Sequence, residues 1–206
     1  YREHRVLPGK PALPGLPATY VEEDADASTV EVVLADEPSG VEVRLRYTVF
    51  EALPVVVRSA TIRNGGAAPV RVRCAMSAVL DLPDAAWELV TLDGTWSRER
   101  HVTARPLAPG RQSVGSGRGT SSAEHNPFVV LQRSATTEEH GEALGFSLVY
   151  SGNFRAEAEV DPFATARVRL GIEPDGFAWT LGPDEELATP EAVLAWVPDG
   201  LDALSD

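Results

Sequence analysis

The stretch Val41–Glu51 reads VEVRLRYTVFE, and its apolar residues fall on every second position. Val41, Val43, Leu45, Tyr47 and Val49 share one face, and Glu42, Arg44, Arg46 and Thr48 share the other, as a half-buried β-strand requires. The same period continues outward. VVVRSATIRN ends at Asn64-Gly65-Gly66, where positive backbone angles cost little, and RVRCAMSAV follows Pro69, so a hairpin is predicted there. VEVVL, WELVTL, FVVLQ, ALGFSLVY, FRAEAEV, ARVRLGI, FAWTL and AVLAWV repeat the theme between turn clusters such as DEPSG, PDGF and LGPDEE. About eleven such runs, with no stretch carrying apolar residues at i, i+3, i+4 and i+7, predict an all-β antiparallel sandwich with little or no helix.

A chain of 206 residues with 43% apolar and 24% charged residues can bury one sizeable core, so a single domain over residues 1–206 is expected. Thirty-one acidic residues against eighteen basic ones give a net charge of -13, which argues against nucleic acid or an anionic membrane surface as a partner. No run approaches the length of a membrane span, and no charged-then-apolar leader opens the chain. The chain opens on Tyr1 and closes on Leu-Ser-Asp, and it is expected to be an excerpt of a longer protein. The opening VLPGKPALPGLPATY carries prolines at 8, 11, 14 and 17, which removes ladder donors; it is predicted to be a strap across a sheet. Arg105–Pro127 is the longest segment without a period and is read as an irregular loop. Cys74 has no partner for an internal disulfide and is expected to be a small buried hydrophobe within a strand.

Little in the sequence announces catalysis. His4, His101, His125 and His140 are scattered without metal-ligand spacing, so neither a metal nor a cofactor is expected. Nucleophile elbows and glycine-rich phosphate loops are missing. A glycosidase pair needs two carboxylates about 5 to 10 Å apart, and the acidic residues are too many for sequence to choose among them. The segment that stands out is LVTLDGTWSRERH, Leu89–His101, where Trp96 follows the Asp93-Gly94 turn and precedes Arg98-Glu99-Arg100. Trp87, Trp179 and Trp196 lie inside strand-like runs and read as core or sheet-face residues. Trp96 has two readings. On a loop tip it offers a flat apolar face to a sugar ring or another subunit; alternatively it folds back as a lid over its own sandwich, with the charges as a solvated rim.

The stretches KPALPGLPATYVE, YTVFE, SAVLDLPDAAWELVTLDGTWSRERHV, SSAEHNPF, GEALGFSLVYSGNF and LGIEPDGFAWTLGPDEELATPEAVL cover most of the chain. Together they resemble the N-terminal β-supersandwich domain of the α-galactosidases of glycoside hydrolase family 36. The resemblance implies a parent in which this sandwich precedes a (β/α)8 barrel and a small C-terminal β domain. It implies hydrolysis of terminal α-galactose from melibiose, raffinose and related oligosaccharides with retention, by two barrel aspartates. The family's Lys-Trp-Asp and Asp-Asp-Gly-Trp segments do not occur in this chain, so no catalytic residue is assigned and the barrel is expected to lie outside it. The first strands of the sandwich, with a family aspartate contact, are expected to precede Tyr1. The resemblance further implies a homotetramer in which the N-terminal domain of one subunit reaches a neighbour's active site. It places Trp96 at the galactose-binding end of that pocket, and it implies a cytoplasmic location. Two other readings stand beside it: a free-standing carbohydrate-binding module, and a structural domain serving subunit packing alone.

Overall fold

The alternating runs become strands in the computed structural model, which describes residues 1–205. In chain order these are β1 (Glu3–Pro8), β2 (Ala27–Asp36), β3 (Val41–Phe50), β4 (Val55–Asn64), β5 (Val70–Val72), β6 (Met76–Leu82), β7 (Glu88–Thr95) and β8 (Arg98–Pro106). They continue with β9 (Gly110–Ser116), β10 (His125–Gln132), β11 (Ala143–Val149), β12 (Phe154–Val160), β13 (Ala166–Ile172), β14 (Trp179–Leu181), β15 (Glu186–Ala188) and β16 (Glu191–Val197). Helix among the described residues is limited to a 3-10 turn at Asp24–Asp26 and one α turn, α1 (Asp202–Ser205). The fold class expected from the period is the one observed.

A large sheet runs β1-β2-β3-β4-β16-β11-β10-β7-β8, with β15 also pairing β4. A second sheet, β6-β13-β12-β9, lies over its central part, and β14 pairs β5 in a small ribbon. The core lies between the first two. Leu89, Val129, Leu131, Phe146, Leu148 and Ala192 point inward from the large sheet to meet Ala78, Val114, Phe154, Ala156, Val168 and Leu170. Each alternates along its strand with outward residues, so the register fixes the core; a one-residue slip would expose it. Trp87 joins this core and carries the Arg133 guanidinium 3.6 Å from its ring centroid. Trp179 and Trp196 are half-exposed sheet-face residues.

On the wing formed by β1, β2 and β3 the alternation is as predicted, but the covered face is the polar one. The second sheet stops short of these strands, leaving Val6, Val30, Leu34 and Val49 exposed on the face that continues the core. The opposite face lies beneath the proline-rich strap. Thr29 donates to the Gly9 carbonyl at 2.8 Å and its hydroxyl meets that of Thr48 at 2.8 Å. Glu31, 1% exposed, sits between Arg5 and Arg46. The strap reaches β16 through Lys10, whose Nζ stands 2.5 Å from Glu191 Oε1 with both side chains buried, and through Thr19, which donates its N–H and hydroxyl to Oε2. A glutamate with one oxygen on an ammonium and the other on two donors is a satisfied buried ion, which is what makes its burial tolerable.

Several sequence expectations need correction. β4 and β5 do not form a hairpin: β4 pairs β3, β15 and β16, whereas β5 pairs β14. The turn residues Asn64-Gly65-Gly66 instead pack against Ser39 and Gly40 of the neighbouring turn, with the Gly65 N–H donating to the Gly40 carbonyl at 3.0 Å. RVRCAMSAV is two strands, broken at Arg73–Ala75 where the chain leaves one sheet for another, and Cys74 is exposed at that crossing. Arg105–Pro127 is not a loop throughout, because β9 occupies its middle and pairs β12 over its whole length.

Candidate functional site

The hairpin of β7 and β8 closes the large sheet at one edge, and among the described residues no strand pairs the outer side of β8. Its register runs from Glu88↔Pro106 to Asp93↔His101, then shifts by a bulge to Thr95↔Arg98, which leaves Trp96-Ser97 as the turn. The Asp93-Gly94 pair is therefore the bulge and not the turn. Gly94 is required there: a Cβ on it would stand 2.3 Å from the Arg98 carbonyl oxygen. Ser97 takes a left-handed φ of 63°, and its N–H donates to Glu99 Oε1 at 2.8 Å, which ties the turn down locally. Trp96 is 89% exposed at this tip. Of the two readings of the indole, the lid over its own sandwich does not occur in this chain. Arg98, Arg100 and His101, all exposed, follow it on β8, on a molecule whose net charge is strongly negative.

The root of the hairpin is polar. Asp93 Oδ1 accepts from His125 Nδ1 at 2.9 Å, and Oδ2 accepts from the Thr91 hydroxyl at 2.7 Å. Burial pushes the Asp93 carboxyl up, but hydrogen bonds from Thr91, His125 and Thr103 outweigh it and hold the group below the usual aspartate range. Beside the pair, a cleft of about 320 Å³ opens between the β8 and β9 edges, lined by Arg105, Ser113, Arg155 and Glu173 among others. Glu173 is bound by Arg155 at 2.7 Å. A second cleft, about 560 Å³, adjoins it at Glu173 and carries Tyr150, Phe177 and Trp179.

Among the histidines, His125 alone enters this cluster; His101 is on β8, His4 lies beside Tyr1, and His140 bonds the Thr137 hydroxyl. No group of three or more metal-binding side chains assembles among the described residues. Sequence reasoning singled out Trp96 and missed Asp93 and His125. No local signal marked them, because their contact depends on a register shift between β7 and β10.

Comparison with known proteins fits this architecture. The family model described as the glycosyl hydrolase family 36 N-terminal domain matches residues 1–182. The α-galactosidase AgaA of Geobacillus stearothermophilus is 46% identical over 205 residues, which are 100% of this chain and 28% of that protein. The α-galactosidase Mel36A of Lactobacillus acidophilus is 39% identical over the same length, again 28% of its own. Variants of AgaA solved in complex with stachyose and with raffinose superpose with a TM-score of 0.98, at 46% identity over 100% of this chain and 29% of theirs. The class these matches define is a β-sandwich domain of glycoside hydrolases. The chain belongs to the glycosyl hydrolase family 36 N-terminal domain family, and it spans less than a third of the length of these relatives.

Proposed function

We infer that the chain is the non-catalytic N-terminal part of a retaining α-galactosidase acting on terminal α-galactosides such as melibiose, raffinose and stachyose. The parent's barrel supplies both catalytic aspartates, and residues 1–206 are one portion of its sandwich. In this reading the enzyme is a cytoplasmic homotetramer, and the β7–β8 hairpin reaches the sugar pocket of a neighbouring subunit. Trp96 then supplies an apolar wall for the galactose ring, with arginines beside it for hydroxyls.

The observation that carries this reading is the 89% exposure of Trp96 on a hairpin whose tip and root are both tied by hydrogen bonds. An indole costs solubility when left wet, and its burial by a partner and a sugar returns that cost. The test is Trp96→Ala in the full-length enzyme. We expect KM for raffinose to rise about tenfold, equivalent to roughly 1.4 kcal/mol, with the oligomer intact. An unchanged KM with the oligomer intact overturns the reading.

A second reading, a domain devoted to subunit packing, is favoured by the apolar face of Val6, Val30, Leu34 and Val49. It predicts that the same substitution dissociates the oligomer and leaves the KM of what stays assembled unchanged.

A further inference from the structure

The bulge that bends the β7–β8 hairpin has a counterpart on the strand beside it. In the β10–β7 ladder, Val129 faces Thr91 and His125 faces Asp93, so two steps on β7 correspond to four on β10. Pro127 lies inside that excursion and has no N–H to give to β7. The ladder is therefore open just where the hairpin leaves the body. Among the described residues β8 pairs β7 alone and lies exposed along nearly its whole length, so its ladder does not tie the hairpin to the body.

What reattaches the hairpin is short and polar. The Gly94 N–H donates to the Glu124 carbonyl at 2.9 Å, and His125 Nδ1 meets Asp93 Oδ1 at 2.9 Å. Asn126 Nδ2 adds a long contact to the Leu92 carbonyl at 3.4 Å. Asp93 also accepts the hydroxyl of Thr91 on its own strand, so one carboxylate ties β7 to β10. Glu124 is steadied in turn by Arg118 at 2.7 Å. Trp96 stands three residues beyond Asp93, and the atoms that fix the direction of its strand are these.

The geometry points to Asp93 and His125 as positioning residues for Trp96: the pair sets the angle at which the hairpin presents the indole, and thereby the affinity for the α-galactoside. This rests on the reading of Trp96 given above. Neither residue touches substrate in this arrangement; both act through the hairpin. Loss of the pair frees the hairpin to swing about the bulge without opening the core, because no residue of the buried cluster around Leu131 and Phe154 belongs to the root. The consequence is a weakened ground-state contact, read in KM, with the chemical step left alone.

The experiment is a double-mutant cycle in the full-length enzyme with raffinose as substrate, with His125→Ala and Asp93→Asn each made alone and together with Trp96→Ala. Each single root variant is expected to raise KM about three- to fivefold, with kcat within about twofold of wild type and an unchanged oligomer. In the Trp96→Ala background the root variants are expected to have no further effect. His125→Asn, whose amide can place an N–H where Nδ1 stands, is expected to restore KM to within about twofold of wild type. Should Trp96→Ala raise KM while His125→Ala and Asp93→Asn leave it at the wild-type value, the positioning role is wrong and the reading of Trp96 survives. A root effect of equal size in both backgrounds also overturns it, since the pair would then act on something other than the indole. If Trp96→Ala itself does nothing, both fall together.

Discussion

The middle of the sandwich and the β7–β8 hairpin are built on opposite terms. In the middle, Leu131, Phe146, Phe154 and Leu170 are between 0% and 1% exposed, and close packing between two sheets holds them. At the hairpin tip the largest side chain of all is 89% exposed, and the strand carrying it is kept by a two-stranded ladder, one glycine bulge and a carboxylate–imidazole contact. The difference teaches where each kind of damage should appear. Changes in the middle are expected to cost stability, whereas changes at the hairpin tip are expected, on the proposed function, to cost recognition and leave the fold standing.

The largest effect tests the packed half. Phe154→Ala removes a fully buried ring between the sheets, and a loss of about 3–5 kcal/mol in urea unfolding is expected. A smaller loss, about 3 kcal/mol, is expected for Glu191→Ala, which strands the Lys10 ammonium in a dry site. The paired change Lys10→Met with Glu191→Leu should recover only the part due to the stranded charge, because the Thr19 N–H and hydroxyl still lose their acceptor. Gly94→Ala comes next and works at the boundary of the two regions. Its Cβ cannot coexist with the Arg98 carbonyl, so the bulge must shift at a cost on the order of 2 kcal/mol, with KM for raffinose rising in the full-length enzyme. Trp96→Ala should move thermal stability least, by under about 0.5 kcal/mol, despite deleting more surface than any other single change.

Glu31 sharpens the comparison by pH. Burial raises its carboxyl pKa, but the hydrogen bonds of Arg46 and Arg5 prevail and leave it below the ordinary value. Its contribution is then complete above the unfolded glutamate pKa, about 4.3, and is lost as pH falls through the depressed value. Acid titration of unfolding free energy should show this fall in the wild type and a shallower one in Glu31→Gln.

Where side chains alternate between a wet face and a dry one, the sequence was legible. β3 and β13 could be read directly, and so could the scarcity of helix. β8 was invisible because RERHVTARP belongs to an edge strand exposed on both faces, which leaves no reason for a period. β9, GRQSVGS, escaped because glycine and serine lie where a small sheet's edge needs little apolar area. The covered face of β2 and β3 could not be deduced either, since the decision belongs to the strap, which brings its own lysine and threonine to Glu191 from 172 residues away in sequence in the case of Thr19. Trp96 was conspicuous for the inverse reason: an indole among arginines and a glutamate has no apolar neighbours to pack with. Its support at Asp93 and His125 depends on a register shift between strands far apart in the chain, which no local pattern encodes.

The most direct test is a crystal structure of the full-length oligomer with raffinose bound. The Trp96 ring is expected within about 4–4.5 Å of the galactosyl unit held by a neighbouring subunit, a distance at which apolar surfaces touch. A ring packed instead against its own subunit, or standing in solvent with the sugar bound elsewhere, would contradict it.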